Sequence, residues 1–395
     1  MIQVYLHPGR EASVIRRHPW IYTSAIAGMS GTPQDGETVD ILDSYKRWLA
    51  RGAYSAQSKI RIRIWTWEDA DDISGDYFNR RLQQSIALRN ALKIPNITNA
   101  YRLVNAESDG LPGLIVDQYD KTLVVQFLSS GAERWLRQII DELAAITNPG
   151  SIFERSDVEV RKLEGLPIRT GLLSGTEPPD RIVIIEEGVK YSVDIRQGHK
   201  MGFYLDQRTN RTAVRSIAAG RSVLDCFCYT GGFTLSALKG GAKSVVAVDE
   251  STSALELLRG NLALNEINAD RVECREGDVF RVLREFRDRG MTFDLIVLDP
   301  PKFAATSAHV ERAARGYKDI NLLAFKLLNP GGELATFSCS GNMPLELFQK
   351  VVAGAALDAR VDAHIVATLF QAPDHPVALN YPEAAYLKGF VIHIK

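Results

Sequence analysis

The second half of the chain alternates apolar strands with helices, and this alternation restricts the fold more than any other feature. Four nearly continuous apolar stretches, SVLDCFC, SVVAVDE, FDLIVLDPP and GGELATFSCS, are separated by helical stretches such as FTLSALKGG and SALELLRGNLALN. Apolar residues on both faces of a strand indicate a parallel sheet covered by helices on both sides. We therefore expect residues 196–395 to form a doubly wound α/β domain, in which ligands bind at the carboxyl ends of the strands.

Two regions of different texture precede this domain in the 395-residue chain. Residues 1–72 contain short alternating strands punctuated by Gly and Asp, which predicts a β-rich domain. Residues 73–195 combine helical stretches such as YFNRRLQQSIALRNAL with two hairpin-like stretches, which predicts helices packed on an antiparallel sheet. The expected fold class is thus α/β: a doubly wound, mainly parallel sheet preceded by a β-rich domain and a small α+β domain.

The charge balance argues against a uniformly basic nucleic-acid-binding protein, because the formal net charge is −1. Residues 1–67 are locally basic, with nine Lys or Arg against five Asp or Glu. Within them, IRRHPWIY places Arg16 and Arg17 beside aromatic side chains. This pattern predicts either a solvated face over a core Trp or a surface that contacts RNA phosphates and bases.

No apolar run approaches the roughly 18 residues that a membrane helix needs, and the N-terminal stretch has no signal-peptide layout. We expect a cytoplasmic protein without a membrane partner. The four cysteines form no C-x-x-C pair and have no His cluster beside them, so no metal is expected. Three of them are interpreted as packing or structural residues: Cys226, Cys228 and Cys274.

The first strand of the second half leads into LDCFCYTGGF, which lacks the third glycine of a dinucleotide-binding loop. Asp225 would repel a phosphate but suits the amino group and sulfonium of S-adenosylmethionine, while Gly231 and Gly232 allow the ligand a close approach. Asp249, at the end of the second strand, can accept ribose hydroxyls. A further strand, RVECREGD, lies between SVVAVDE and FDLIVLDPP and is the third of five along the chain; Asp278 at its end can reach the adenine amino group. Taken alone, Asp225 can also be explained as a cap.

The motifs together resemble a known family. VLDCFCYTGGFTLSALKGGAKSVVAVDES resembles the cofactor loop of class I S-adenosylmethionine-dependent methyltransferases. GHKMGFYLDQRTNR, DLIVLDPPKF, TFSCSG and the terminal DHP…YPEAAYLKG look like the large-subunit ribosomal RNA cytosine-C5 methyltransferases of the RlmI type. The likeness spans nearly the whole chain, and it implies an N-terminal PUA RNA-binding domain.

The resemblance implies a set of cofactor contacts, with S-adenosylhomocysteine as the product. FYLDQR would close over the cofactor through Tyr204, Asp206 and Arg208, although an ion pair between Asp206 and an arginine is an alternative. The remaining expected contacts follow the strand ends already described: Phe227, Tyr229, Thr230, Glu250, Ser251 and Val279.

Cytosine C5 is a poor nucleophile, and a thiolate that adds to C6 makes it reactive. Cys339 in SCSG follows the fifth strand, beside the fourth strand that ends in LDPPKF, and the resemblance assigns the nucleophile to it. Asp299 can hold the N3 or N4 edge of the base. Some related enzymes carry a second cysteine where this chain has Pro301 and Lys302, so the group that removes the C5 proton is left open.

The loop after the fourth strand is the expected substrate-binding segment. Pro300 and Pro301 stiffen it. Lys302 is either a phosphate contact or a solvated loop lysine, and Phe303 either stacks on an extruded base or packs in the core.

Two other functions compete with cytosine-C5 methylation. D-P-P-x-[FY] loops also serve methylation of base nitrogens, such as guanine N7 or N2, which needs no thiol. An RNA-binding protein that keeps the cofactor fold only as a scaffold is the third possibility. The expected partner is large-subunit ribosomal RNA, either naked or partly assembled. The oligomeric state stays open, with a homodimer as one expectation.

Overall fold

A computed structural model describes residues 1–303 and 310–395 of the chain. By internal contacts the chain divides into two compact units. The first comprises Met1–Ile184, Val193–Leu205 and Pro373–Ala384, and the second comprises Ile185–Ser192, Asp206–Ala372 and Ala385–Lys395.

The second unit is built on one seven-stranded sheet. Its strand order is β16-β15-β14-β17-β18-β20-β19. Every pair from β16 to β18 is parallel, whereas β20 runs antiparallel to both of its neighbours. The strands are β14 (Ser222–Cys226), β15 (Ser244–Asp249), β16 (Val272–Glu276), β17 (Phe293–Leu298), β18 (Leu328–Ser338), β19 (Ala363–Phe370) and β20 (Lys388–Ile394).

Helices separate the parallel strands along the chain. Apolar residues of β14, β17 and β18 are fully buried in one core with residues of the helices, as expected for strands covered on both faces. Since each parallel strand is followed by a crossover, the carboxyl ends of β14, β15, β16, β17 and β18 lie at one edge of the sheet. The helices are α5 (Arg208–Ile217), α6 (Gly232–Lys239), α7 (Thr252–Leu264), α8 (Val279–Asp288), α9 (Val310–Leu327) and α10 (Leu345–Ala359).

The first unit contains two sheets. The six-stranded sheet has the order β2-β6-β5-β4-β1-β3 and is accompanied by the short helix α1 (Ala12–Ile15). Its core is formed by residues such as Val4, Ile41 and Ile62, which are inaccessible to solvent. The strands are β1 (Gln3–Leu6), β2 (Trp20–Tyr22), β3 (Ile26–Met29), β4 (Thr38–Leu42), β5 (Trp48–Tyr54) and β6 (Ile60–Thr66).

The five-stranded sheet has the order β11-β10-β9-β8-β7, and its core includes side chains from α2 and α4. The expectation of an antiparallel sheet is wrong at one pair, because β9 and β10 are parallel. The segment between these strands holds α3 and α4, and such a helical crossover returns the chain in the same direction. The elements are α2 (Gly75–Ala91), β7 (Ala100–Asn105), β8 (Leu114–Tyr119), β9 (Thr122–Phe127), α3 (Ser130–Arg134), α4 (Leu136–Thr147), β10 (Ser151–Ser156) and β11 (Arg169–Gly175).

A two-stranded sheet of β12 (Ile182–Glu186) and β13 (Val189–Val193) completes the strands. Its turn has Glu187 at φ 46° and Gly188 at φ 80°, the left-handed pair that tight hairpins use. The expected doubly wound, mainly parallel sheet is confirmed, as are the β-rich N-terminal region and the mixed region after it. The division at residues 72 and 195 stays a prediction.

Candidate active site

The loop after β14 has an unusual backbone. Phe227, Tyr229 and Gly231 have φ values of 62°, 50° and 87°, so two bulky residues adopt a conformation that side chains ordinarily avoid. A Cβ at Gly231 would lie 2.7 Å from Cγ of Leu258, which also requires glycine there. Strained backbone of this kind concentrates at ligand sites, where the surrounding structure holds it in place. The loop leads directly into α6, which starts at Gly232.

Asp225 lies inside the sheet edge beneath this loop and is 1 % exposed. Thr234 Oγ1 donates to its Oδ2 at 2.6 Å, whereas Oδ1 has no hydrogen-bond partner among the described residues. Burial raises the pKa of Asp225 to about 7, and the nearby carboxylates Asp299 and Asp249 raise it further against the Thr234 hydrogen bond. A buried carboxyl with an unused oxygen favours a cationic ligand, which would stabilise its ionised form.

The next two strand ends add three more carboxyl groups. Asp249 ends β15 and accepts the backbone N–H groups of Tyr229 at 2.8 Å and Ser251 at 2.9 Å, so it fixes the loop after β14. A side-chain hydrogen bond with Asp278 raises the pKa of the exposed Glu250 carboxyl. Two neighbouring carboxyl groups favour a ligand that brings hydrogen-bond donors.

Helix starts account for part of these side chains. Asp278 accepts the N–H of Arg281 at 2.8 Å and thereby caps α8, and Ser251 caps α7. Val279 is the first residue of α8 and is buried. Asp278 therefore has a structural role as well as an exposed carboxyl, and Val279 contributes an apolar wall.

The groups that line the crevice complement those of S-adenosylmethionine. That molecule offers a sulfonium, an ammonium, ribose hydroxyls and an adenine amino group, which are cations and donors. The crevice offers acceptors: the unused Oδ1 of Asp225, the unpartnered hydroxyl of Thr230 and the carboxyl groups of Asp249, Glu250 and Asp278. The acceptors among the described residues therefore match the cations and hydrogen-bond donors of S-adenosylmethionine, whereas they would repel a diphosphate.

Asp299 follows β17, next to β14 in the sheet. Gln207 Nε2 donates to Asp299 Oδ1 at 2.9 Å, and Asn210 Nδ2 in turn donates to Gln207 Oε1 at 2.5 Å. Gln207 and Asn210 are 2 % and 1 % exposed, so this chain of amides is a fixed support. Gln207 was missed by the sequence interpretation, although it lies between Asp206 and Arg208 in the motif LDQR.

Cys339 directly follows β18, the parallel neighbour of β17. Its Sγ lies 3.9 Å from the carbonyl oxygen of Pro300, so the thiol and the Asp299-Pro300 segment meet at adjacent strand ends. The side chain is half-buried, so the thiol is partly accessible to solvent. Cys226 and Cys228 differ, since burial raises the pKa of both thiols well above its ordinary value.

Tyr317 of α9 supports the turn around Cys339. Ser338 Oγ donates to the Tyr317 hydroxyl at 2.9 Å, and that hydroxyl lies 3.3 Å from Ser340 Oγ. From the other side, the buried Lys388 of β20 donates to the carbonyl oxygens of Ser340 and Met343. A lysine inside the apolar strand LKGFVIHI was the available sequence signal for Lys388, which the sequence interpretation also missed.

The substrate loop after β17 is described as far as Phe303. Pro300 is buried, whereas Pro301 and Lys302 are exposed and able to meet a ligand. The ring of Phe303 lies 4.8 Å from that of Tyr317 and 6.0 Å from that of Phe280. These contacts favour packing over stacking on a base for Phe303.

The contacts of the remaining predicted residues are as follows. Tyr204 belongs to the first unit, and its hydroxyl is 3.3 Å from His199 Nδ1. Asp206 and Arg208 are buried, and the Tyr386 hydroxyl donates to Asp206 Oδ2 at 2.6 Å, so Asp206 supports the fold through a tyrosine. Arg16 and Arg17 are exposed beside α1, with Arg17 3.3 Å from Glu68.

Comparisons with known proteins agree with this geometry. Residues 158–391 match the S-adenosylmethionine-dependent methyltransferase family model, and residues 4–67 match a PUA-like domain. The crystal structure of SMU.776, complexed with SAH, is 22 % identical over all of both chains with a TM-score of 0.87. The fold and the carboxyl-lined crevice define a methyltransferase that uses S-adenosylmethionine.

Full-length relatives narrow this class. The ribosomal RNA large subunit methyltransferase I of Tolumonas auensis is 55 % identical over 98 % of each chain. That of Shewanella amazonensis is 51 % identical over 100 % of this chain and 99 % of the relative. The chain belongs to the ribosomal RNA large subunit methyltransferase I family.

Residues 1–303 and 310–395 contain no group of three or more His, Cys, Asp or Glu side chains arranged to hold a metal ion. None of their helices combines the length and apolarity needed to cross a membrane.

Proposed function

We propose that this protein methylates C5 of a cytosine in large-subunit (23S) ribosomal RNA, with Cys339 as the nucleophile. The names of its relatives support ribosomal RNA of the large subunit as the substrate. The observation that carries the choice of atom is the 3.9 Å approach of Cys339 Sγ to the carbonyl of Pro300, beside Asp299. Methylation of a base nitrogen needs no thiol at that place.

The proposed role of Cys339 is covalent. Its thiolate adds to C6 of the cytosine, which places electron density on C5. S-adenosylmethionine supplies a methyl group on a positively charged sulfur, and C5 takes this methyl. Loss of the C5 proton then restores the C5–C6 double bond and expels the Cys339 thiolate.

Asp299 is proposed to hold the N3 or N4 edge of the base, where charge develops as the thiolate adds. Gln207 fixes one oxygen of this carboxyl, so the other oxygen keeps a defined direction. On the cofactor side, Asp225 would face the cationic part of the donor, and the carboxyl groups at the ends of β15 and β16 would accept hydrogen bonds from its ribose and adenine. Arg16 and Arg17 are proposed to contact RNA phosphates from the PUA-like domain.

The test is incubation of the protein with large-subunit RNA and isotopically labelled S-adenosylmethionine, followed by mass spectrometry of the nucleosides. Label in 5-methylcytidine is expected. Label in 7-methylguanosine or N2-methylguanosine would contradict the proposal in favour of nitrogen methylation. If the protein binds RNA but shows no heat with the cofactor in titration calorimetry, it is a scaffold.

A second arm tests the adduct. RNA that carries 5-fluorocytidine cannot lose the substituent at C5, so the thioether to C6 should persist as a complex that resists denaturation. Cys339→Ala should abolish both the complex and methyl transfer, to below about one thousandth of the wild-type rate, with cofactor affinity unchanged. Cys274→Ala, which alters the other half-buried thiol, is the matched control and should keep both. Appreciable turnover by Cys339→Ala would exclude the covalent route.

A further inference from the structure

Lys388 occupies a position where a lysine is unexpected. It is the first residue of β20 and pairs with Ser338, the last residue of β18, one position before Cys339. Only 4 % of it is exposed. Burying an ammonium is costly unless hydrogen bonds and opposite charge compensate, so the surroundings of Nζ show what this residue does.

Two of the three Nζ donors have identified partners. Nζ donates to the carbonyl oxygens of Ser340 and Met343, both at 2.8 Å. These carbonyls belong to the turn that follows Cys339, which Tyr317 supports through Ser338 and Ser340. The lysine therefore fixes the turn that presents the thiol. Carbonyl oxygens compensate for burial of an ammonium only in part, because they carry no net charge.

The charged and titratable groups around Nζ shift the pKa of Lys388 in both directions. Burial lowers the pKa of Lys388 to about 8, the charge of Cys339 raises it, and Lys302 lowers it. Burial raises the pKa of Tyr317, so the tyrosine next to the turn is neutral at physiological pH. Of these groups, Cys339 is the one whose negative charge would stabilise the ammonium of Lys388, and stabilisation between two opposite charges is reciprocal.

We propose that Lys388 is a positioning residue that holds Cys339 as a thiolate. It does so through its ammonium charge and through its hydrogen bonds to the turn that follows Cys339. The inference rests on the proposed function, in which this thiolate attacks C6. The thiol proton resides on Nζ while sulfur is bound to C6, and the proton lost from C5 leaves separately to solvent water. Expulsion of sulfur from the product returns the same ion pair, ready for the next cycle.

The test measures the thiolate directly, without RNA or cofactor. The rate of iodoacetamide alkylation of Cys339 is followed from pH 5.5 to 10 by mass spectrometry of its peptide, in the intact protein. Because only the thiolate reacts, the midpoint of the rate against pH reports the pKa of Cys339. In the wild-type protein the midpoint should lie below the ordinary value of about 8.5.

Three variants separate charge from structure. Lys388→Met removes the charge but keeps an unbranched chain, and it should slow alkylation at pH 7 about tenfold, which is one unit in the midpoint. Lys388→Arg keeps the charge and should stay within about threefold of wild type. The same change at an exposed lysine of α9, Lys326→Met, should leave the profile unaltered.

The inference is overturned if the wild-type midpoint is 8.5 or higher, or if folded Lys388→Met has the wild-type profile. Melting curves report whether Lys388→Met folds, and if it does not, the wild-type midpoint and Lys388→Arg decide. Failure of the proposed function looks different. In that case Cys339→Ala still transfers methyl groups, whatever the alkylation profile shows.

Discussion

The candidate site residues on the two sides of β14 in the seven-stranded sheet are held in place by different kinds of contact. On the side of β15 and β16, each carboxyl is fixed by backbone or side chains within about one strand and helix of its own position, as Asp249 is by Tyr229 and Ser251. On the side of β17 and β18, the supports come from distant parts of the chain. Gln207 holds Asp299, and Lys388 holds the turn after Cys339.

The difference follows from what each side must do. The side of β15 and β16, here the cofactor side, presents acceptors to a ligand through tight loops. The geometry of these loops depends on local features such as the φ of 87° at Gly231. In the proposed function, the side of β17 and β18, here the base side, holds a thiol and a carboxyl in fixed directions at adjacent strand ends, and local backbone cannot do this alone. We therefore expect substitutions on the two sides to separate cofactor affinity from turnover.

The largest effect after Cys339 is expected from Asp299→Ala. Loss of the group that stabilises charge on the base should lower kcat about 100- to 1,000-fold. Cofactor affinity should not weaken, because Asp299 raises the pKa of Asp225 and its removal favours the ionised Asp225. Methyl transfer kinetics with RNA and titration calorimetry with S-adenosylmethionine measure the two quantities.

Asp294→Ala serves as the control for Asp299→Ala. Asp294 lies at the other end of β17, where it accepts hydrogen bonds from Ser222 and Asn329. Its loss should reduce stability but not the kcat of the folded protein. If Asp299→Ala instead weakens cofactor binding with an unchanged kcat, the division into two sides is wrong.

The next effect concerns Asp225→Asn, which tests the cofactor side. The cofactor dissociation constant should rise about 10- to 100-fold, since the amide carries no charge to face the sulfonium and ammonium. The variant without cofactor should be more stable at pH 8 by roughly 1 to 3 kcal/mol, because the buried charge is gone while the Thr234 hydroxyl keeps an acceptor. Calorimetric titration and thermal unfolding give both numbers.

Asp225→Asn should weaken cofactor binding while it stabilises the protein without cofactor, and this combination is the diagnostic result. Thr234→Val is the matched control, because it removes the hydroxyl that donates to Asp225 but leaves the carboxyl. It should destabilise the protein. A variant Asp225→Asn that binds the cofactor as tightly as wild type would remove Asp225 from the site.

The fold was accessible from the sequence because its signals are local. Apolar strands such as SVVAVDE, with helices between them, predict a parallel sheet, and the observed order β16-β15-β14-β17-β18 is that of a doubly wound sheet. The parallel pair β9 and β10 was missed, because pairing between strands separated by α3 and α4 leaves no mark on either strand. Alternation of apolar residues reports burial, not the direction of a neighbour.

Part of the candidate site could also be predicted from the sequence. Asp225, Asp249, Asp299 and Cys339 all lie at or directly after the carboxyl ends of strands, so topology alone brings them to one edge. Gln207 and Lys388 become visible only when their tertiary partners are known, since they act on residues 92 and 48 positions away. The sequence could not separate a functional role from packing for Asp206 and Phe303, and the structure adds their contacts with Tyr386 and Tyr317.

The pH dependence of cofactor affinity should distinguish the two sides in the wild-type protein. The pKa of Asp225 is raised to about 7, so the carboxyl is protonated below that pH and cannot balance a cation. Affinity should therefore fall by up to tenfold per pH unit below 7 and level off above about 8. Without cofactor the sign is reversed for stability: the raised pKa stabilises the fold at low pH, and this contribution is lost as pH rises through 7.

Titration calorimetry from pH 6 to 9 measures this dependence. Asp225→Asn is its control, since any titration of the cofactor itself persists in the variant. The difference between the two proteins isolates Asp225. Equal slopes in both would mean that Asp225 stays ionised over this range.

The smallest effect is expected from Gln207→Ala, which tests whether the distant support on the base side matters. Loss of the 2.9 Å hydrogen bond leaves Asp299 in place but less well oriented, so kcat should fall about 3- to 10-fold. Cofactor affinity should stay within about twofold, because Gln207 contacts the base side. The control is Ser216→Ala at an exposed position of α5, whose hydroxyl bonds only locally to the carbonyl of Ala213. A Gln207→Ala variant with wild-type kcat would show that the carboxyl of Asp299 is oriented without its distant partner, and the base side would then be as locally determined as the cofactor side.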